Sequence, residues 1–176
     1  KIIDSFIKLF SKRFIKNSVN INILDYGCGP GNMLDYLSKY GMVYGIDYSE
    51  KAIEFCRLRG YLNTLAEKTL PIKFPNNHFD IITSIDVLEH IEDDSAVIAE
   101  LFRLLKPGGL LFVTVPAFQI LWGAHDEIYG HKRRYLKKYI VKKFELNNMI
   151  VIKSTYFEFI FFFPLLFART IKKIIL

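Results

Sequence analysis

Apolar residues fall along this chain in two alternating rhythms, short solid runs and helical spacings. Ile21, Ile23 and Leu24 form the first solid run, closed by Asp25. A strand covered on both faces needs no polar alternation, so this run reads as the end of a buried parallel strand. Three glycines follow at once, and a helical face then begins with Met33, Leu34, Leu37 and Tyr40, stopped by Gly41. The same unit repeats. Residues 42–47 read as a second strand, Ser49 caps a helix that runs to Arg59, and Gly60 ends it. Residues 61–66 make a short third strand, and Pro71, Pro75, Asn76 and Asn77 a loop. Residues 79–84 are the fourth strand. Asp93, Asp94 and Ser95 offer N-caps for a helix whose face is Val97, Ile98, Leu101, Leu104 and Leu105. Residues 106–109 end that helix and turn into a fifth strand over 110–115. Strands and helices alternating in this way predict an α/β fold, Rossmann-like and doubly wound, with a mostly parallel sheet flanked by helices.

The flanks follow other patterns. Ile3, Phe6, Ile7, Phe10 and Phe14 stand at helical spacing and predict an amphipathic N-terminal helix over 1–17. Residues 117–134 are aromatic and polar without strong periodicity, which reads as a long loop. Helical spacing returns over 135–146 with Ile140, Val141 and Phe144 on the apolar side. Asn147-Asn148 is a left-handed turn, and a sixth strand follows over 149–156. Residues 159–168 are uninterrupted apolar sequence, and Arg169, Lys172 and Lys173 follow. That run is too short to cross a bilayer as a helix, which takes ~20 residues. No convincing seventh strand is found. The chain reads as one domain over 1–176 that is C-terminally incomplete, with a tail over 157–176.

Composition narrows the picture. The 176 residues are half apolar, enough for a packed core and against disorder. Cys28 and Cys56 fall inside predicted elements and read as reduced thiols of a cytosolic protein. The linear spacing shows no metal-ligand cluster. The chain begins at Lys1 with no secretory pattern and reads as a trimmed piece of a longer product. The net charge of +6 is uneven, with Lys132, Arg133, Arg134, Lys137, Lys138, Lys142 and Lys143 on one segment. Such runs serve nucleic acid, anionic lipid or acidic substrates, or simply solvate a helix face.

The first glycine turn carries the candidate chemistry. A dinucleotide fold prefers G-x-G-x-x-G, whereas Gly27, Gly29 and Gly31 are each two apart and position 32 is Asn. Asp25 would repel a pyrophosphate but suits a ligand with an ammonium group. Asp47, at the end of the second strand, can accept two hydrogen bonds from a ribose diol. The run Leu24-Asp25-Tyr26-Gly27-Cys28-Gly29-Pro30-Gly31 resembles motif I of the class I S-adenosylmethionine (SAM) methyltransferases. Asp86-Val87-Leu88-Glu89-His90 and the Leu105-Lys106-Pro107-Gly108-Gly109 run resemble later landmarks of the same family, of its type-11, ubiquinone-biosynthesis-like kind. The resemblance spans residues 23–115. It implies SAM as cofactor, with Asp25, Gly27, Cys28, Gly29 and Gly31 around its methionine end and Asp47 on the ribose. It places Tyr48, Ala66 and Glu67 near the adenine, although Glu67 is one residue off the common spacing. It sets Ser84 and Asp86 along the methionine part.

An oxygen acceptor needs a base to take its proton, and His125 and His131 in the 117–135 loop are the candidates. Each has a plainer reading as a loop-ordering hydrogen-bonder. His90 reads as a packing or capping group. Trp122 and Tyr129 are candidate acceptor contacts, and Arg133 and Arg134 could clamp a carboxylate or phosphate. The leading reading is a SAM-dependent methyltransferase acting on a small-molecule or lipid-linked acceptor, at oxygen or carbon. The second is a SAM-binding protein without transfer, a regulatory or membrane-surface partner. Nucleic-acid methylation is disfavoured, because Ile85-Asp86-Val87-Leu88 stands where a flipped-base enzyme carries Asn/Asp-Pro-Pro-aromatic. The expected setting is cytoplasmic, and the tail reads either as packing on the core through Phe161, Phe162, Leu165 and Leu166 or as a peripheral membrane contact.

Overall fold

The computed structural model describes residues 21–157, together with Ser5, Lys8, Phe162, Phe163, Pro164, Leu166 and Phe167. The helix expected over 1–17 and most of the apolar run 159–168 lie outside the described residues. Two compact units divide the chain: Lys1–Val87 with Ala99–Thr114, and Leu88–Ile98 with Val115–Leu176.

The first unit holds a five-stranded sheet in the order β3-β2-β1-β4-β5. Its strands are β1 (Asn22–Tyr26), β2 (Met42–Asp47), β3 (Thr64–Ala66), β4 (Phe79–Ile85) and β5 (Leu105–Thr114). Every pairing is parallel. Ile23 pairs with Val43 on one side and Ile81 on the other, which makes β1 central. Ile23, Leu24, Ile81 and Ile82 are fully buried, as solid apolar runs require. The strand order reverses between β1 and β4. In open α/β sheets the crevice outside the carboxyl ends of strands at such a reversal is where ligands bind.

The connecting helices are shorter than the spacing predicts. α1 covers only Leu34–Leu37, because Tyr36 N bonds Met33 O and Tyr40 N bonds Leu37 O across three residues, tightening both ends into turns. Leu34 and Leu37 still fill the core. α2 (Glu50–Leu58) starts as expected, with Ser49 Oγ accepting from Ala52 N at 3.3 Å. β3 begins at Thr64 rather than at 61. α3 (Asp94–Leu104) buries Val97, Ile98, Leu101 and Leu104. β5 begins earlier than the expected 110. Leu105 pairs with Phe79 and Leu110 with Ile81, so residues 106–109 bulge between two paired stretches, with Gly108 at φ +77°.

The second unit is built from short pieces. A 3₁₀ turn covers Leu88–His90, another Gln119–Leu121, and α4 spans Ala124–Ile128. The 117–134 segment is thus ordered by turns rather than free loop. Ala117 and Tyr135 form an isolated parallel bridge. Buried Tyr135 gives its hydroxyl to Asp94 Oδ2 at 2.8 Å, and Lys143 Nζ lies 2.6 Å from Asp94 Oδ1. α5 (Lys137–Leu146) starts two residues after the predicted helix, because Tyr135 is held in the bridge. Asn148 has φ +59°, the left-handed turn expected there. The sixth strand expected over 149–156 is not a strand: this stretch has no ladder partner among the described residues, and Ile150 is 90% exposed. Strand propensity is realised only against a neighbour. No helix among the described residues is long and apolar enough to cross a membrane.

Candidate functional site

The turn after β1 is built from left-handed glycines. Gly27, Gly29 and Gly31 have φ of +79°, +51° and +85°, a region that L side chains rarely adopt. Gly27 and Cys28 give their amides to Ile46 O at 2.7 and 3.0 Å, tying the turn to the end of β2. A Cβ on Gly27 would stand 2.3 Å from Val87 Cγ2, so this glycine is required by packing. A Cβ on Gly29 would meet nothing within 4 Å. Among the described residues this leaves open space above Gly29, where a ligand can approach the backbone.

Asp47 joins the two sides of this turn. Its Oδ2 accepts from Gly29 N at 2.8 Å and its Oδ1 from Ser49 N at 2.9 Å. Each oxygen keeps a second lone pair, so the buried carboxylate is oriented and can still accept from a diol. Tyr48 beside it is exposed. Ala66 ends β3, and Glu67 N reaches Asp47 O at 3.0 Å. The Glu67 side chain turns back on its own loop: Oε1 accepts from Lys68 N, Thr69 N and Thr69 Oγ1. Those hydrogen bonds, first of them from the Thr69 amide, hold its carboxyl below the usual range.

The end of β4 supplies the other wall. Asp25 is buried and its Oδ1 accepts from Thr83 Oγ1 at 2.7 Å. Burial pushes its carboxyl up to about 6, with the Asp47 charge adding to the effect and the Thr83 bond opposing it. A carboxylate in that condition gains from a cation. Ser84 is also buried, and its hydroxyl has no hydrogen-bond partner among the described residues. Asp86 is a non-glycine residue at φ +53°, pinned by its amide to Thr114 O at 3.1 Å and by its Oδ1 to Thr114 Oγ1 at 2.9 Å. Cys28 and Cys56 are buried free thiols, and burial pushes both up. An aimed diol acceptor, a carboxylate short of positive charge, an unpartnered serine hydroxyl and open space above Gly29 fit a cofactor with a ribose and a cationic amino-acid end.

In the second unit, His131 is the centre of the candidate histidines. Its Nδ1 lies 2.9 Å from Asp126 Oδ1. The His90 and His125 rings lie 4.7 and 6.0 Å from its ring. His125 is itself exposed, its ring centroid 4.5 Å from that of Tyr129 and tilted 42° to it. Arg134 clamps a carboxylate as its residue type predicts, but that carboxylate is the chain's own Asp126, through Nε to Oδ1 at 2.7 Å and Nη2 to Oδ2 at 3.1 Å. Arg133 gives Nη2 to Glu92 O at 2.7 Å and faces Asp94 at 3.6 Å. Trp122 is half-buried and Tyr129 exposed.

Sequence reasoning passed over two features here. Asp126 sits in a stretch with no periodicity, and its role depends on three partners that folding brings to it. Glu89, His90 and His131 set one donor atom each within 4.8 Å of one another, a carboxylate and two imidazoles of the kind that a divalent cation accepts. The linear spacing showed no such cluster because the third member lies far along the chain.

The family model described as a methyltransferase domain matches residues 24–113. The ubiquinone biosynthesis O-methyltransferase of Thiobacillus denitrificans is 36% identical over 98 residues, covering 51% of this chain and 42% of that protein. The protein of the same name from Bartonella quintana is 34% identical over 147 residues, covering 74% and 58%. The chain thus spans about half the length of the curated relatives it matches. Among solved structures, a SAM-dependent methyltransferase from Aquifex aeolicus superposes with a TM-score of 0.65 at 23% identity, over 85% of this chain and 80% of that one. One from Archaeoglobus fulgidus gives 0.69 at 17%, over 89% and 72%. These likenesses show the fold.

Proposed function

This chain belongs to the methyltransferase-domain family, and from that premise we propose that it transfers a methyl group from SAM to an oxygen of a small-molecule acceptor. The observation that carries the reading is the Gly29–Asp47 hydrogen bond, which ties the turn after β1 to the end of β2 and orients a carboxylate that can accept from a diol. Asp47 holds the ribose. Asp25, Ser84 and the backbone near Asp86 take the amino-acid end, and Tyr48 and the β3 end lie along the adenine. Bound SAM supplies an already activated methyl group, so the chain's part is to position donor and acceptor and exclude water. The acceptor hydroxyl must lose a proton, and His131 is its base, with His125 the second candidate. Trp122, Tyr129 and Arg133 are proposed acceptor contacts. Arg134 has a weaker claim to that role because Asp126 already occupies it.

Lipid-linked acceptors are part of the same proposal. Leu146, Ile150, Phe157, Phe163 and Phe167 are exposed in the unit that carries Lys137, Lys138 and Lys142. Apolar side chains beside cations favour a cytoplasmic enzyme working against an anionic bilayer surface.

Full-length protein is incubated with methyl-labelled SAM and a panel of hydroxylated small molecules and lipid extracts. Label on an acceptor oxygen supports the reading. SAM binding without transfer to any member would leave a binding protein, and no SAM binding would sink both. Co-sedimentation with anionic but not neutral liposomes tests the surface contact.

A further inference from the structure

We propose that Asp126 is the positioning residue of His131, holding its Nδ1 protonated so that Nε2 is the nitrogen free to accept a proton. The inference rests on the reading above that an acceptor oxygen is deprotonated, and it concerns how the chain prepares the base.

Asp126 is fully buried, yet it sits among donors. Arg134 donates to both its oxygens, and Gly123 N donates to Oδ2 at 2.8 Å. A guanidinium on both oxygens and a backbone amide on one hold this buried carboxylate in its charged form. An ionised carboxylate only accepts hydrogen bonds, so the proton of the 2.9 Å contact lies on His131 Nδ1. A neutral imidazole has one ring proton, and with Nδ1 occupied the lone pair is on Nε2.

The arrangement is built rather than incidental. Asp126 caps the first turn of α4 through Gly123, and His131 N returns to Asp126 O at 2.8 Å. Arg134 is anchored in turn by Nη1 to Ala117 O at 3.1 Å. The backbone on both sides of the ring is fixed by the groups that fix the carboxylate. Among the described residues, Glu89, His90 and His125 also stand near the ring. A residue that merely closed the loop would need only an acceptor atom, which Asn also offers. A residue that sets a tautomer needs an acceptor with no hydrogen to give. In Asp126→Asn, Arg134 would keep the amide oxygen and turn the NH₂ toward the ring, forcing the proton to Nε2.

The test is a long-range proton–nitrogen correlation spectrum of full-length protein with isotope-labelled imidazoles, the His131 signals assigned with His131→Gln. The expected spectrum shows Nδ1 protonated and Nε2 bare. An Nε2–H tautomer in the unmodified protein overturns the proposal, whether or not any variant folds. In Asp126→Asn the tautomer should invert. Label transfer from SAM to an acceptor found in the panel above should fall in kcat by about 10²–10⁴-fold with SAM affinity unchanged, and Asp126→Glu should recover part of it. Full kcat in Asp126→Asn would also overturn it. An Nδ1–H tautomer in a protein that moves no label to any acceptor would sink the transferase reading while the positioning role stands.

Discussion

Gly29 N donates to Asp47 Oδ2 across 2.8 Å, so the turn after β1 and the end of β2 are locked by one charge-assisted bond. Removing the carboxylate releases both the turn and the diol acceptor. Asp47→Ala should weaken SAM binding by on the order of 2–3 kcal/mol, read by calorimetry. Asp47→Asn should lose less, because its oxygen can still accept from Gly29. Unchanged SAM affinity in the alanine variant would remove Asp47 from the site.

The glycines of the turn should fail in different ways. Gly27→Ala forces a Cβ to within 2.3 Å of Val87 Cγ2 at φ +79°, so it should lower the melting temperature with or without ligand. Overpacking of this sort costs about 1–3 kcal/mol, before the backbone strain. Gly29→Ala meets no atom of the described residues within 4 Å, so its fold cost is the strain of φ +51°. Gly29→Val should retain much of its stability and lose SAM binding. Equal stability loss in the two alanine variants would contradict this division.

Asp25 gives a pH-dependent prediction. Its carboxyl sits at about 6 in the fold against 3.8 for the ordinary group. Between those values the folded state binds more protons than the unfolded one, so Asp25 withdraws stability as pH rises through that window. Above it the cost is about 3 kcal/mol, which a cationic ligand group would offset. Asp25→Asn keeps the Thr83 bond, so it should raise the ligand-free melting temperature at neutral pH and lose that advantage on acidification. It should also weaken SAM binding. A variant less stable than the parent at neutral pH would show that the charge is not a burden there.

The two units differ in how much of them the sequence reveals. Gly27, Gly29 and Asp47 are legible because each obeys a local rule: a turn that needs positive φ, and a carboxylate at a strand end beside that turn. The central strands are legible because Ile23, Leu24, Ile81 and Ile82 are buried on both faces. Residues 149–156 carry a strand's composition and fail to form one, since pairing is a property of two segments. Asp126 is invisible for a related reason. Its neighbours in sequence describe an exposed polar stretch, and only folding brings Arg134 and His131 to the same carboxylate. Arg134 was legible as a carboxylate clamp, but the sequence does not say whose carboxylate.

Arg134 and Asp126 therefore yield a prediction with two distinguishable outcomes. Asp126 is fully buried and Arg134 is its bidentate partner. Truncation to Arg134→Ala leaves an under-compensated buried charge, which typically costs about 3–5 kcal/mol. The pH dependence has a definite sign. Asp126 is held below the usual carboxylate range in the fold, so its stabilisation is present above the unfolded value of ~3.9 and is lost as pH falls through the lower folded value. Arg134→Ala gives up that stabilisation already at neutral pH. The melting temperatures of parent and variant should therefore lie furthest apart near about pH 7 and converge only as pH falls below about 4. Thermal melts of the two proteins across that range measure the gap. An Arg134→Ala protein that melts like its parent at neutral pH, binds SAM normally and loses only methyl transfer would instead make Arg134 an acceptor-binding residue, and would mean that Asp126 holds His131 without it.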